Sequence, residues 1–554
     1  MPCALLLKPE NRDERHGRLY RMSECAFDWL LARYDRALTF VLRHQFATLL
    51  VMLGTITLTG VLFAVIPKGF FPQQDTGLIT GITEAAQDIS TAGMGQRQQE
   101  IAAIVARDAA VASVASYIGP GPSNAAPNQG RMFITLKPLG GRGPNGGAQQ
   151  VIDRLAEPLR QVQGMHLFMQ AAQDLTIGAR TSKAQYQFTL VDTDPQELAG
   201  YAARMVEQLA KADGVADVSS DQESSGPLLM LDIDRAAAAR FGLQPQAIDE
   251  GLYDAFGSRM ATRVYGAKGQ YFVIVEADPA FRTGAGALDQ VYLRSSTGGM
   301  VRLSQVARVT PQVAPVVINH QNQSPSVTIS FNLKPGVSIG AAVGSVQRIE
   351  ASLHLPLTVQ ASFQGSAQAY QIALAGQATL IGAAVVAIYL ILGMLYESWI
   401  HPVTIISTLP SAGLGALLAL MAAGMPLDVI GIIGILLLLG IVKKNGIMLV
   451  DFAMAEEAAG KSAEEAIHNA CTLRFRPILM TTLCAILAGV PLMLGGGIGA
   501  QLRQPLGFAI VGGLLLSQLL TLFTTPVIYI YMDRLGGFIT SLGHAGQTAR
   551  KSAE

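Results

Sequence analysis

Apolar residues along the chain gather in a few long blocks, set apart by one long mixed stretch. The first block, residues 46–66, holds no charge and has about the 20 residues a helix needs to cross a bilayer. Blocks resume at 376–396, 402–424, 429–450, 477–494 and 506–532, so the pattern predicts six transmembrane helices. Between Gln371 and Val442 the only formal charges are Glu397 and Asp428, both at block boundaries. Small residues recur at packing spacing, Ser411 with Gly415 and Gly513 with Ser517, which lets neighbouring helices approach closely.

The mixed stretch follows other periods. Residues 77–84 read as a strand, 91–109 as a helix, 132–137 as a strand, 149–163 as a helix and 166–170 as a strand, forming a first unit over 67–180. Strand 185–190, helix 195–212 and strand 215–219 are echoed by strand 326–333, helix 339–354 and strand 357–363. Two such βαβ units are the halves of a ferredoxin-like fold. They predict a second unit, 181–225 with 321–370, interrupted by an insertion at 226–320. Within the insertion, 262–265 and 270–276 flank Gly266-Ala-Lys-Gly269 as a projecting β-hairpin.

Orientation follows from the basic residues. Lys8, Arg12, Arg15, Arg18, Arg21, Arg33, Arg36 and Arg43 precede the first block, whereas the loop between the last two carries only Arg503. Positive charge marks the cytoplasmic side. Both termini, 1–45 and 533–554, are therefore expected in the cytoplasm and the mixed stretch outside. Phe27, Leu30, Leu31, Tyr34 and Leu38 share one helical face opposite a basic one, which predicts an interfacial helix.

Composition sharpens this picture. Charged residues make up 14% of the chain, against about 25% in an ordinary soluble protein. Lys plus Arg and Asp plus Glu balance at 40 each, so no general basic field recommends nucleic acid as a partner. Cys3, Cys25, Cys471 and Cys484 have no paired spacing, so neither a disulfide framework nor a zinc cluster is expected. Gly460-Lys461-Ser462 resembles the end of a phosphate-binding loop, but the required first glycine is Ala455. Met132, Met165 and Met169 suit a soft cation such as Cu(I), although core packing is the commoner role of methionine. No metal site is assigned, and no Ser/His/Asp arrangement suggests an enzyme.

Ionisable groups within a membrane mark function because burying them is costly. The fourth block ends Lys443-Lys444-Asn445 and then Asp451; at about 100° per residue Lys444 and Asp451 share a face, and Lys443 points elsewhere. Arg474 and Thr481 likewise share a face of the fifth helix. A cation and a hydroxyl on neighbouring helices suit a proton relay that carboxylates complete. No Asp or Glu occupies the middle of any of the six blocks, so the acid is missing.

These stretches also carry a family likeness. Gly69–Asp75 (GFFPQQD), Phe133–Pro138 (FITLKP), Tyr396–Ser398 (YES), Leu439–Asn445 (LGIVKKN), Leu473–Thr481 (LRFRPILMT) and Thr524–Tyr529 (TTPVIY) resemble the C-terminal half of a resistance-nodulation-division (RND) efflux pump, closest to the MdtB/MdtC branch. Such pumps have twelve spans in two similar halves. The resemblance implies an α-helical membrane bundle, corresponding to spans seven to twelve, with a large α+β periplasmic domain. That domain would comprise two porter subdomains and a docking-domain insertion, whose hairpin reaches a neighbouring protomer. The opening Met1–Lys8 resembles the end of the sixth span, so the chain reads as a half-pump.

The resemblance further implies proton-driven multidrug export from the bacterial inner membrane, with no cofactor beyond the proton motive force. Lys444, Arg474 and Thr481 match the family's relay residues, whose aspartate partners on the fourth span this chain lacks. Phe133, Leu167, Phe168 and Met169 match drug-contacting positions. The implied partners are an N-terminal half or longer homologous subunit, a homo- or hetero-trimer, a periplasmic adaptor (membrane fusion protein), an outer-membrane channel and amphiphilic small molecules. Two rival expectations stand beside this one: a transport-incompetent remnant that associates with intact pumps, and a heavy-metal exporter.

Overall fold

The computed structural model describes residues 18–119, 121, 126–175, 178, 182–334 and 336–551; the opening Met1–Lys8 lies outside them. Among the described residues, six helices are long and apolar enough to cross a membrane: Gln45–Val65, Thr379–Tyr396, His401–Ala422, Val429–Ala458, Ala463–Leu494 and Ala500–Gly536. They are called the first to sixth spans. The fourth and fifth overrun the apolar blocks at 429–450 and 477–494 by more than a turn each. Helix hydrogen bonding continues where hydrophobicity stops: the fourth span runs on to Ala458, just before Gly460 at positive φ, and the fifth starts at a cap well ahead of its apolar block. Ser462 accepts from the Glu465 N–H to start the fifth span, and Asp428 accepts from the Gly431 N–H at 2.6 Å to start the fourth.

The third span is broken into His401–Ile406 and Leu409–Ala422. Pro410 lacks an N–H and disfavours helix just before it, so Ser407 and Thr408 turn and their hydroxyls bond back to the Thr404 and Ile405 carbonyls.

Helix packing follows the small residues. The third span crosses the sixth where a Cβ on Gly415 would lie 2.4 Å from the Gly512 carbonyl oxygen and 3.0 Å from Gly513 Cα. Ser411 donates to Ser517 across the same contact at 3.4 Å. Helix Arg18–Arg43 lays Tyr34, Leu38 and Leu42 onto the bundle, with the Tyr34 ring stacked 4.5 Å from Phe475 and its hydroxyl donating to the Leu522 carbonyl. Leu30 differs from expectation: it is exposed beside Trp29, while Leu31 takes the packed position.

Outside the spans, two four-stranded antiparallel sheets share one order. Strands Leu78–Ala85, Val111–Ile118, Gln129–Leu136 and Met165–Ala171 are ordered second, third, first, fourth. Strands Tyr186–Val191, Val215–Ser220, Ser324–Leu333 and Gln360–Gln364 repeat it, with a short edge pairing at His320–Gln321. Strand Val111–Ile118 has no counterpart in the sequence pattern: it is an edge strand with only Val111 buried, so hydrophobic alternation is weak. Between the halves of the second sheet, Gly226–Ile233 pairs with Ala307–Ala314, and a small core around Ile248, Leu293 and Leu303 forms beyond it. Strands Arg259–Gly266 and Gly269–Val275 form a hairpin, and the second is exposed along its whole length. The exit of the first span is stitched to the loop before the fourth, Leu427 N–H donating to Pro67 and Gly69 N–H to Leu427.

Candidate functional sites in the cleft and in the bundle

A cleft of about 480 Å³ opens between the two sheets. Strand pleat decides what lines it. Thr80 pairs with Phe133, and Ile82 pairs with Arg131 and Phe168, so these side chains share one face. All of them line the cleft, opposite Gln185, Gln187 and Ser366. Gln170 closes one side by donating to the Ser182 carbonyl at 2.8 Å. Phe133 is 37% exposed, with the Tyr117 ring 6.4 Å away.

The four positions matched to drug contact therefore divide. Phe133 and Phe168 line the cleft, whereas Leu167 and Met169 fall on the other face and pack in the core of the first sheet. Met132 and Met165 lie in that core too, which gives the three methionines a packing role in this conformation. The cleft face ends in charge. Lys183 bonds Glu84 at 2.6 Å and the Ser220 carbonyl at 2.7 Å, while Asn128 and Gln129 donate to the Glu223 carboxylate at 3.1 and 3.0 Å. Burial pushes the Glu223 carboxyl up from its ordinary range, and the neighbouring Glu84 charge adds to that.

A second constellation lies in the bundle. Lys444 and Thr481 are exposed on its outside, and Lys443 is half-buried. Arg474 holds its guanidinium 4.9 Å from the Phe452 ring, and its buried Nε has no hydrogen-bond partner. No hydrogen bond or ion pair joins Lys444, Arg474 and Thr481, whose approach rests instead on their neighbours. Asn445 and Thr482, the next residues along each helix, turn inward and are buried. Asn445 Nδ2 donates to Thr482 Oγ1 at 3.1 Å, and Thr482 Oγ1 donates to Gln518 Oε1 of the sixth span at 2.7 Å. Lys444 and Thr481 thus flank one inter-helix contact. The sequence pattern assigns no role to Asn445, Thr482 and Gln518, although their polarity inside apolar blocks is a signal.

The family model described as AcrB/AcrD/AcrF matches residues 1–533. Two solved structures, crystal forms II and I of a heavy metal efflux pump, are each 25% identical to the chain. They cover 92% and 91% of it, with TM-scores of 0.81 and 0.80. The chain covers 53% and 51% of those chains, so it spans about half the length of the pumps it resembles.

Proposed function

The chain belongs to the AcrB/AcrD/AcrF family of RND efflux transporters, and from that premise we propose that it is the C-terminal half of a proton-driven exporter of amphiphilic compounds. Secondary transport rather than enzymatic turnover is the family's activity, and its members work in the inner membrane. They act as trimers with an adaptor and an outer-membrane channel, which we extend to this chain. The two sheets would be porter subdomains, the 226–320 insertion part of a docking domain, and Phe133 and Phe168 the apolar contacts of the cleft.

The observation that carries the reading is the outward presentation of Lys444 and Thr481 across one inter-helix contact. Placed there, they face whatever packs on the bundle's outer side. An N-terminal half or a longer homologous subunit would bring the carboxylates that the middles of the six spans lack. Protonation of those acids would release Lys444, and the resulting helix shift would open the cleft. Lys444→Ala in the assembled pump is expected to abolish drug resistance at unchanged membrane abundance. Resistance that survives this change overturns the relay assignment.

A second reading has a specific support: both solved structures described above are of a heavy metal efflux pump. Metal and drug tolerance measured side by side in a deletion strain separates the two, since the amphiphile reading expects drug sensitivity with unchanged metal tolerance.

A further inference from the structure

Three spans meet at one buried polar chain, and two of its members, Asn445 and Thr482, directly follow Lys444 and Thr481. Asn445 of the fourth span donates to Thr482 of the fifth, and Thr482 donates to Gln518 of the sixth. The order amide N–H, hydroxyl, amide carbonyl makes the hydroxyl acceptor and donor at once. Each bond therefore polarises the next in a medium that offers no competing water. Asn445 is 8% exposed and Thr482 is 3% exposed. A slip of either helix by one residue breaks the chain and strands polar groups among apolar side chains, so one register is strongly favoured.

Register is what a relay between two helices needs. Lys444 and Thr481 precede Asn445 and Thr482 directly and lie exposed while their neighbours are buried. Fixing the buried pair fixes how far apart, and at what relative depth, the exposed pair emerges. We infer that Asn445, Thr482 and Gln518 are positioning residues for proton coupling: a three-span polar clasp that sets the geometry in which Lys444 and Thr481 are offered to the coupling acids. The inference rests on the relay reading of those two residues.

A nearby hydroxyl cluster provides an internal control. Ser411, Ser517 and Thr521 are equally buried and also join two spans, Ser411 to Ser517 at 3.4 Å and Ser517 to Thr521 at 3.2 Å. None of its bonds involves a residue next to Lys444 or Thr481. If loss of any buried polar contact merely loosens the bundle, both groups respond alike.

The test measures export by the assembled pump in native membranes as a function of external pH, together with KM for the exported compound. Thr482→Val keeps the shape and removes the hydroxyl. It is expected to lower the maximal rate on the order of 10- to 100-fold, the scale of a small misplacement of a catalytic group, with KM unchanged and the pH profile displaced. Thr482→Ser is expected to restore both, and Ser517→Ala to leave the profile in place. Gln518→Met gives the same readout from the sixth span should Thr482→Val fail to accumulate. An unmoved pH profile in both Thr482→Val and Gln518→Met overturns the clasp, as does an equal displacement by Ser517→Ala. If Lys444→Ala abolishes export while Thr482→Val and Gln518→Met change nothing, the clasp fails and the relay stands. If Lys444→Ala leaves export intact, the relay reading fails and takes the clasp with it.

Discussion

Glu223 and Asp75 are both pushed up by burial, yet their partners leave them on opposite sides of the ordinary carboxylate range. Glu223 is 2% exposed beside Glu84, and burial and that charge together raise its proton affinity. The folded chain then keeps a proton that the unfolded chain has already released. Stability from this site is therefore full below the ordinary Glu range and is lost as pH rises through the raised value. Glu223→Gln, neutral throughout, is expected to flatten the dependence of melting temperature on pH just above the ordinary Glu range; an unchanged slope would count against it. Asp75 is also pushed up by burial, but Arg142 at 2.7 Å and the Ala148 and Gly77 N–H groups outweigh that and hold it below its ordinary range. Its contribution is present at neutral pH and is lost as pH falls through the lowered value. Arg142→Met leaves the carboxylate buried and unpaired, and is expected to destabilise the extramembrane region by about 3–5 kcal/mol. Denaturant unfolding followed by circular dichroism at pH 7 measures this.

Between elements, the third and sixth spans approach each other backbone to backbone. The first atom a Cβ on Gly415 would meet is a backbone oxygen, and backbone cannot rotate out of the way. Gly415→Val is expected to cost about 1–3 kcal/mol as overpacking and to lower the melting temperature of the detergent-solubilised chain. Gly440 has open space around its Cβ position, so Gly440→Ala should be neutral or stabilising by up to about 1 kcal/mol. Equal effects at the two glycines would show that helix propensity, not close packing, decides. The hairpin Arg259–Val275 makes the opposite case, an element whose second strand is exposed throughout. Tyr265, Tyr271, Phe272 and Ile274 are all more than half exposed.

For the whole molecule, that hairpin and the outer face carrying Lys444 are the exposed surfaces that the proposed assembly would cover. An exposed apolar ribbon is a liability unless something covers it. In the proposed trimer a neighbouring protomer does so. Tyr271→Ser combined with Ile274→Ser is expected to reduce the oligomeric fraction on native gels while the melting temperature of the chain stays put. An undiminished oligomer would place subunit contact elsewhere.

Much of this molecule is legible along the chain because hydrophobicity is a local quantity. The six spans, the small-residue crossing at Ser411, Gly415, Gly513 and Ser517, and the hairpin around Gly266–Gly269 all follow from composition and spacing. Lys444, Arg474 and Thr481 stand out for the same reason, since charge and hydroxyl are conspicuous among apolar residues. Pairing is not local. Strand Val111–Ile118 takes its place from the strand it pairs with, and pleat direction alone sends Phe133 and Phe168 to the cleft but Leu167 and Met169 to the core. Nothing in the order of residues announces that Asn445, Thr482 and Gln518, on three different spans, complete one hydrogen-bond chain. Composition determined that the chain enters a membrane and which groups there are costly; only packing decided which of those groups meet, because contact depends on helix rotation and depth that no single segment encodes.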